Sequence, residues 1–313
     1  MARYLVTGGA GFIGSHVVDR LVKDGHAVRV LDNLSTGRLD NLQPVRARLE
    51  FIEGDVRDRE VTARACLGVD AVIHEAALRS VPKSMRDPAG YAEVNVVGTI
   101  NVLEAAAQAK VKRVVGVSSS SVYGDTDQMP LREDQPTRPI SPYAASKLAA
   151  EMMCGMFARS YGLPTVCVRY FNVFGPRQSL ENEYAVVVPK FITCLLRGES
   201  PPIYGDGRQS RDFTYVENVV EATLLAARVP DLSGEVFNVA LGEEHSVLEL
   251  LQELHDIVGT SVPPAFQPAR PGDMRRTLAD PSHAKRRLSW NGHVGFTEGL
   301  RRTVEWFRAR PVD

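Results

Sequence analysis

The chain has 313 residues, 44% apolar and 24% charged, and a formal net charge of -1, enough to bury a large core as one large domain or two ordinary ones. The near-neutral balance gives no electrostatic reason to expect nucleic acid or an anionic membrane surface as a partner, so any phosphate binding must be local. The cysteines Cys66, Cys154, Cys167 and Cys194 form no CxxC pair and no zinc-spaced cluster with histidine, so they read as buried free thiols, with no metal.

The first residues, MARYLVTGG, run directly into a strand-like segment without a basic leader and long apolar stretch. No apolar run approaches the roughly 18 residues a membrane span needs, so a cytoplasmic protein without a membrane partner is expected. Short apolar runs then alternate with helix-period segments: RYLVTG, AVRVLD, LEFIEGD, DAVIHEA, VKRVVGVSS, TVCVRYFN and, much later, GEVFNVA. Such runs, separated by helices, predict a parallel sheet buried on both faces in an open α/β fold.

TGGAGFIGSH follows the first strand and opens a helix, with Gly9, Gly11 and Gly14 in G-x-G-x-x-G spacing; Gly8, Gly11 and Gly14 also fit a looser G-x-x-G-x-x-G. Glycine permits the tight turn, close approach to a pyrophosphate and packing of helix on strand. Asp32 ends the second strand, where a carboxylate accepts hydrogen bonds from the ribose of NAD and repels the 2′-phosphate of NADP. NAD is the expected cofactor. Asp55, after the third strand, either caps the next helix or holds the adenine amino group. HEAALRS follows the fourth strand and would lie over the cofactor; position 78 is leucine, so HExxH fails and His74 reads as a buried strand-end residue.

The fifth strand runs into VSSSSVYGD, which by itself is either a polar loop or a set of hydroxyls at a site. In SPYAASKLAAE, Ser141 is a helix N-cap and Pro142 the first helical residue, so Tyr143 and Lys147 share one helix face. An ammonium near a phenol favours the phenolate and suits it to act as a base near neutral pH. Beyond NVFGPRQ the texture changes to loops punctuated by proline and glycine between single helices, which suggests a smaller substrate part, while the strand near Val236 returns to the first sheet.

Taken together, TGGAGFIGSH, LDNLSTG, SVPKSMRDP, NVVGT, SPYAASK, RYFNVFG, SRDFTYVENVV and RPGDMRRTLAD resemble the extended short-chain dehydrogenase/reductase family over nearly the whole chain. They are most similar to its nucleotide-sugar 4-epimerases, especially those acting on N-acetylated or uronic UDP-sugars. The resemblance implies a Rossmann-type doubly wound parallel sheet with a smaller C-terminal α/β substrate-binding part. Residues 1–174, with a return at about 212–241, would bind NAD; residues 175–211 and 242–313 would bind the UDP-sugar. It assigns Tyr143 as base, Lys147 as its activator and a ribose ligand, and Ser119 as the catalytic hydroxyl.

By the same resemblance, Gly8, Gly11, Phe12, Ile13, Gly14, Asp32, Asn33, Ser35, Thr36 and Gly37 match NAD contacts, with Asp55, Val56, Ala76, Ala77, Asn95, Phe171, Tyr143 and Lys147. Arg79, Ser80, Ser119, Ser120, Tyr143, Asn172, Arg177, Val187, Lys190 and Tyr204 match the substrate side. Arg211 and Arg270 match cations on the UDP phosphates, Asp273 a uridine-ribose ligand, and Thr277 the wall of the sugar pocket. A homodimer through the helix of Tyr143 and the helix after Asp87 is also implied.

Related 4,6-dehydratases carry an acidic pair after the catalytic hydroxyl, and uronate decarboxylases a glutamate; here Ser120 and Ser121 stand in those places and cannot act as carboxylates. What remains is oxidation and re-reduction at C4 of a UDP-hexose. The small Thr277 admits a bulky sugar substituent. Arg79 and Arg177, near the hydroxyls of Ser119, Ser120 and Ser121, tilt the expectation toward UDP-glucuronate/UDP-galacturonate, with UDP-N-acetylglucosamine or UDP-glucose as the alternative.

Overall fold

A computed structural model describes residues 1–179, 187–269 and 274–310. All seven expected strands form: β1 (Arg3–Thr7), β2 (Ala27–Asp32), β3 (Leu49–Glu53), β4 (Ala71–His74), β5 (Arg113–Ser119), β6 (Thr165–Tyr170) and β7 (Glu235–Val239). They make one sheet in the order β7-β6-β5-β4-β1-β2-β3, with every pairing parallel. The order reverses at β1, so a crevice opens between the C-terminal ends of β1 and β4, where ligands bind in such sheets.

Position in the sheet explains strand composition. β6, flanked by β5 and β7, is buried at all six residues (TVCVRY), whereas the edge strand β3 is only partly covered. Alternate residues serve opposite faces: Tyr4 and Val6 pack with Val17, Val18 and Leu21 of α1 (Phe12–Lys23), while Leu5 packs with Val102 and Leu103 of α3 (Gly98–Gln108). Cys154 and Phe157 of α4 (Pro142–Tyr161) join the second face.

α2 (Arg59–Cys66) is capped by Asp58, whose side chain accepts from Glu60 N and Val61 N, so capping falls to Asp58 rather than Asp55. α4 begins as its sequence predicts: Ser141 accepts from Ala144 N, Pro142 starts the helix, and Gly162 ends it in the left-handed region. The segment after Asp87 is a short helix, a π-turn over Glu93–Val97 and then α3. Later come α5 (Val187–Leu196), α6 (Val216–Arg228), α7 (Val247–Val258), α8 (Ser282–Leu288) and α9 (Phe296–Arg308). α6 supplies Val219, Ala222 and Ala226 to a cluster with β5, β6 and β7. Small two- and three-residue strands tie the later loops together, among them Thr277 beside Arg211.

Candidate active site

A cleft of about 600 Å³ follows the C-terminal ends of the strands, from Asp32 and Asp55 at one end to Arg211 and Met274 at the other. Its glycine turn is built from Gly8, Gly11 and Gly14, which line it. A β-carbon on Gly14 would come within 2.2 Å of Gly8 O, and one on Gly8, at φ 69°, within 2.7 Å of Ala76 N. Gly9 faces the core instead, against Val30 and Val18. Of the two glycine spacings, the looser one lines the cleft. Phe12 and Ile13, at the N-terminus of α1, continue its wall.

Asp32 is buried, and its carboxylate accepts from Ala10 N and Leu34 N, both at 2.9 Å. Burial raises its pKa, with those two bonds working the other way. Asn33, Ser35, Thr36, Asp55 and Val56 line the same end, where Asn33 Nδ2 donates to Asp55 Oδ2 at 2.8 Å. The Arg57 side chain on Asp55 holds that carboxyl down at about 2. Gly37 lies under the Asp32 carboxylate without lining the cleft. A cradle no side chain can enter, next to a ribose-height carboxylate, fits a dinucleotide.

Further along, Ala76, Ala77 and Arg79 from the loop after β4 meet Ser119 at the end of β5, Ser120 and Ser121 of the 3-10 turn that follows it, and Tyr143 and Lys147 from α4. Ser121 N and Oγ both donate to Ser119 Oγ, at 3.2 and 3.0 Å. Lys147 is buried and its Nζ donates to Val117 O at 2.8 Å; burial pulls its pKa down to about 8. Burial also raises the Tyr143 phenol, with the Ser119 hydroxyl and the Arg79 guanidinium pulling the other way. Arg79 is thus a cation that favours the phenolate, in the same cleft as the Lys147 to which the sequence pointed. Lys147 instead feels Glu75, a cleft residue the sequence reading passed over because His-Glu drew attention as half a zinc motif.

His74 is buried and kept neutral, between Thr7 Oγ1 at 2.7 Å and Thr99 Oγ1 at 3.0 Å. Asn95 stands behind the cleft wall: its amide bonds both Leu78 N and Leu78 O, and donates to Ser146. Ser80 caps the turn over Val81–Arg86, and its N–H donates to Tyr91 Oη. Phe171 is fully buried with Val122 and Tyr123, outside the cleft lining.

Asn172, at φ 23°, lines the cleft and accepts from Thr277 Oγ1 at 3.3 Å, so the buried Thr277 backs it rather than facing the cleft. Arg177 lines the cleft: its Nη2 donates to Asp19 Oδ2 of α1 at 2.6 Å, while its buried Nη1 has no hydrogen-bond partner among the described residues. Arg211 lines the far end. Val187, Lys190 and Tyr204 are not among the lining residues, and Arg270 and Asp273 lie outside the described residues. Among those described, no cluster of metal-ligating side chains occurs, and no helix is long and apolar enough to cross a membrane.

Residues 4–240 match the NAD dependent epimerase/dehydratase family. A UDP-glucose 4-epimerase of Mycolicibacterium smegmatis is 43% identical over 98% of both chains. The structure of a UDP-N-acetylglucosamine 4-epimerase from Methanobrevibacter ruminantium, in complex with UDP-N-acetylmuramic acid, superposes with a TM-score of 0.94 at 42% identity over 98% of both chains. That of a UDP-glucuronic acid 4-epimerase from Bacillus cereus, with UDP-glucuronic acid and NAD, gives 0.91 at 32% identity over 98% of this chain and 99% of that one. With a glycine cradle, Asp32, Ser119, Tyr143 and Lys147 in one cleft, the chain belongs to the NAD dependent epimerase/dehydratase family, and NAD is its cofactor.

Proposed function

We propose that the NAD-dependent UDP-sugar 4-epimerase reaction of this chain runs by preference on UDP-N-acetylhexosamines. The observation that carries the reaction type is the trio of hydroxyls, Ser119, Ser120 and Ser121, beside Tyr143, where a dehydratase or decarboxylase needs a carboxylate. Tyr143 takes the proton of the sugar 4-OH and returns it, Ser119 Oγ holds the same hydroxyl, and Lys147 and Asp32 orient the cofactor. NAD supplies the hydride acceptor and donor. Residues 1–174 and about 212–241 form the cofactor part; residues 175–211 and 242–313, with Arg211 and Asn172 toward the diphosphate, form the sugar-nucleotide part.

The preference for an N-acetyl group over a C6 carboxylate is supported by the ion pair that draws Arg177 Nη2 to Asp19 on α1. A uronate is the second reading, favoured by Arg79 beside Tyr143. Incubation with UDP-N-acetylglucosamine, UDP-glucose and UDP-glucuronate, followed by chromatography, tests both parts. A 4-keto-6-deoxy sugar or a pentose among the products refutes epimerization. A higher kcat/KM for UDP-glucuronate reverses the substrate preference.

A further inference from the structure

Glu75 follows β4 and lines the cleft, yet it has no part in the proton transfer assigned to Tyr143. Its Oε1 lies 2.8 Å from Tyr170 Oη at the end of β6. Tyr170 Oη lies 2.7 Å from Thr223 Oγ1 on α6, and Thr223 Oγ1 2.8 Å from Val219 O. The phenol and the threonine hydroxyl have one proton each, and a carbonyl only accepts. With all three contacts kept as hydrogen bonds, Val219 O takes the Thr223 proton and Thr223 the Tyr170 proton, in place of a Tyr170 donation to an ionised Glu75. The Glu75 contact is then left without a hydrogen unless the carboxyl provides it.

We propose that Glu75 is a positioning residue that works as the un-ionised acid, the first donor in a chain through Tyr170 and Thr223 to Val219 O, and so puts no negative charge beside Lys147. The groups that face it are consistent with this. Lys147 from α4 and Tyr170 from β6 are the titratable ones, α6 brings only the Thr223 hydroxyl, and the preceding His74 is neutral. Burial pushes the Glu75 carboxyl up to about 7, with the Tyr170 contact and the Lys147 charge pulling the other way. The chain joins β4, β6 and α6 just before Asn172, so it fixes the turn that presents Asn172 to the cleft. Ionisation would turn the Tyr170 proton toward Glu75 and place an anion on the floor of the cleft, which disfavours the Tyr143 phenolate.

The test uses infrared spectra of the purified holoenzyme against pH. An un-ionised carboxyl stretch is expected at pH 6 in the native protein, absent in Glu75→Gln, and lost on titration upward. No band dependent on Glu75 at pH 6 overturns the proposal. Thr223→Val supplies the second arm. It frees the Tyr170 proton to turn toward Glu75, so the midpoint should move about one pH unit toward acid, the worth of one hydrogen bond; an unmoved midpoint also overturns it. The activity arm rests on the epimerase reading. The ratio of kcat at pH 8.5 to that at pH 6 should be higher in Glu75→Gln than in the native enzyme, because the amide donates to Tyr170 without titrating, and equal ratios refute the role. Failure of the epimerase reading itself appears as no turnover of any UDP-sugar, with the infrared band intact.

Discussion

Replacing Lys147 with methionine should make the protein more stable and inactive. The ammonium is buried, and burial lowers its pKa from 10.5 to about 8. At about 1.4 kcal/mol per pH unit, the charge costs the native state about 3 kcal/mol at pH 7. Because the folded pKa lies below the unfolded one, the cost is complete below pH 8 and fades between about pH 8 and 10.5 as the unfolded chain alone still binds the proton. Methionine keeps the stem and drops the charge, but leaves Val117 O without the 2.8 Å Nζ donor, a loss of about 1 kcal/mol. The net gain is about 2 kcal/mol at pH 7, falling to about zero at pH 10 and turning to a loss of about 1 kcal/mol well above pH 10.5.

Urea unfolding of NAD-free protein at pH 7 and pH 10 measures this, since a ligand bound to the native chain adds its own stability. Lys147→Met that is destabilised at pH 7, or whose difference from the native chain does not change with pH, refutes the account. Either outcome would mean that the ammonium is better solvated in the cleft than its burial implies.

Tyr143→Phe should lower kcat by roughly 10²–10⁴-fold with NAD still bound after purification; turnover within tenfold of native would remove Tyr143 as the base. Asp32→Asn, judged by fluorescence titration with both dinucleotides, should weaken NAD by about 1.5–3 kcal/mol and narrow its advantage over NADP, and unchanged selectivity would argue against a ribose contact. Arg79→Ala removes the cation that favours the Tyr143 phenolate, so the rising limb of kcat against pH should move to higher pH; a fixed limb refutes that assignment. A homodimer through α4 and the segment after Asp87 would cover Met152 and Val97, now 63% and 48% exposed. Light scattering should then give a dimer mass that Met152→Glu lowers.

The sheet was legible because each strand is a short apolar run set between helix-period segments, and burial on both faces leaves that imprint. The cleft lining was legible where it sits in local spacing: Gly8 to Gly14, Ser119 to Ser121, and Tyr143 with Lys147 on one helix. What escaped depends on contacts far apart in the chain. Arg177 reads as a free cation at the end of a strand, and only the fold brings Asp19 of α1 to it in the cleft wall. Thr277 reads as part of the pocket wall, yet pairing with Arg211 sets it behind Asn172. Asn95 reads as a cofactor contact, but the π-turn over Glu93–Val97 carries it to the Leu78 backbone. Asp55 and Asp58 both suit a helix start, and only the fold shows which one caps α2.

Three buried ionisable groups in the cleft end in different states because their partners differ, although burial acts on all of them. Asp32 accepts from two backbone N–H groups, which stabilise the carboxylate against desolvation. Glu75 meets the Tyr170 hydroxyl, and in the proposed chain that hydroxyl donates on to Thr223, so the neutral acid is the form that completes the hydrogen bond. Lys147 donates to a carbonyl, which suits the ammonium but does not replace its hydration. Among the described residues, Arg79 and Lys147 bring two cations to the Tyr143 part of the cleft, while the Asp32 and Asp55 carboxylates lie at its other end. A phenol in that setting gives up its proton more readily than its burial alone would allow, and a base at the sugar end must do so.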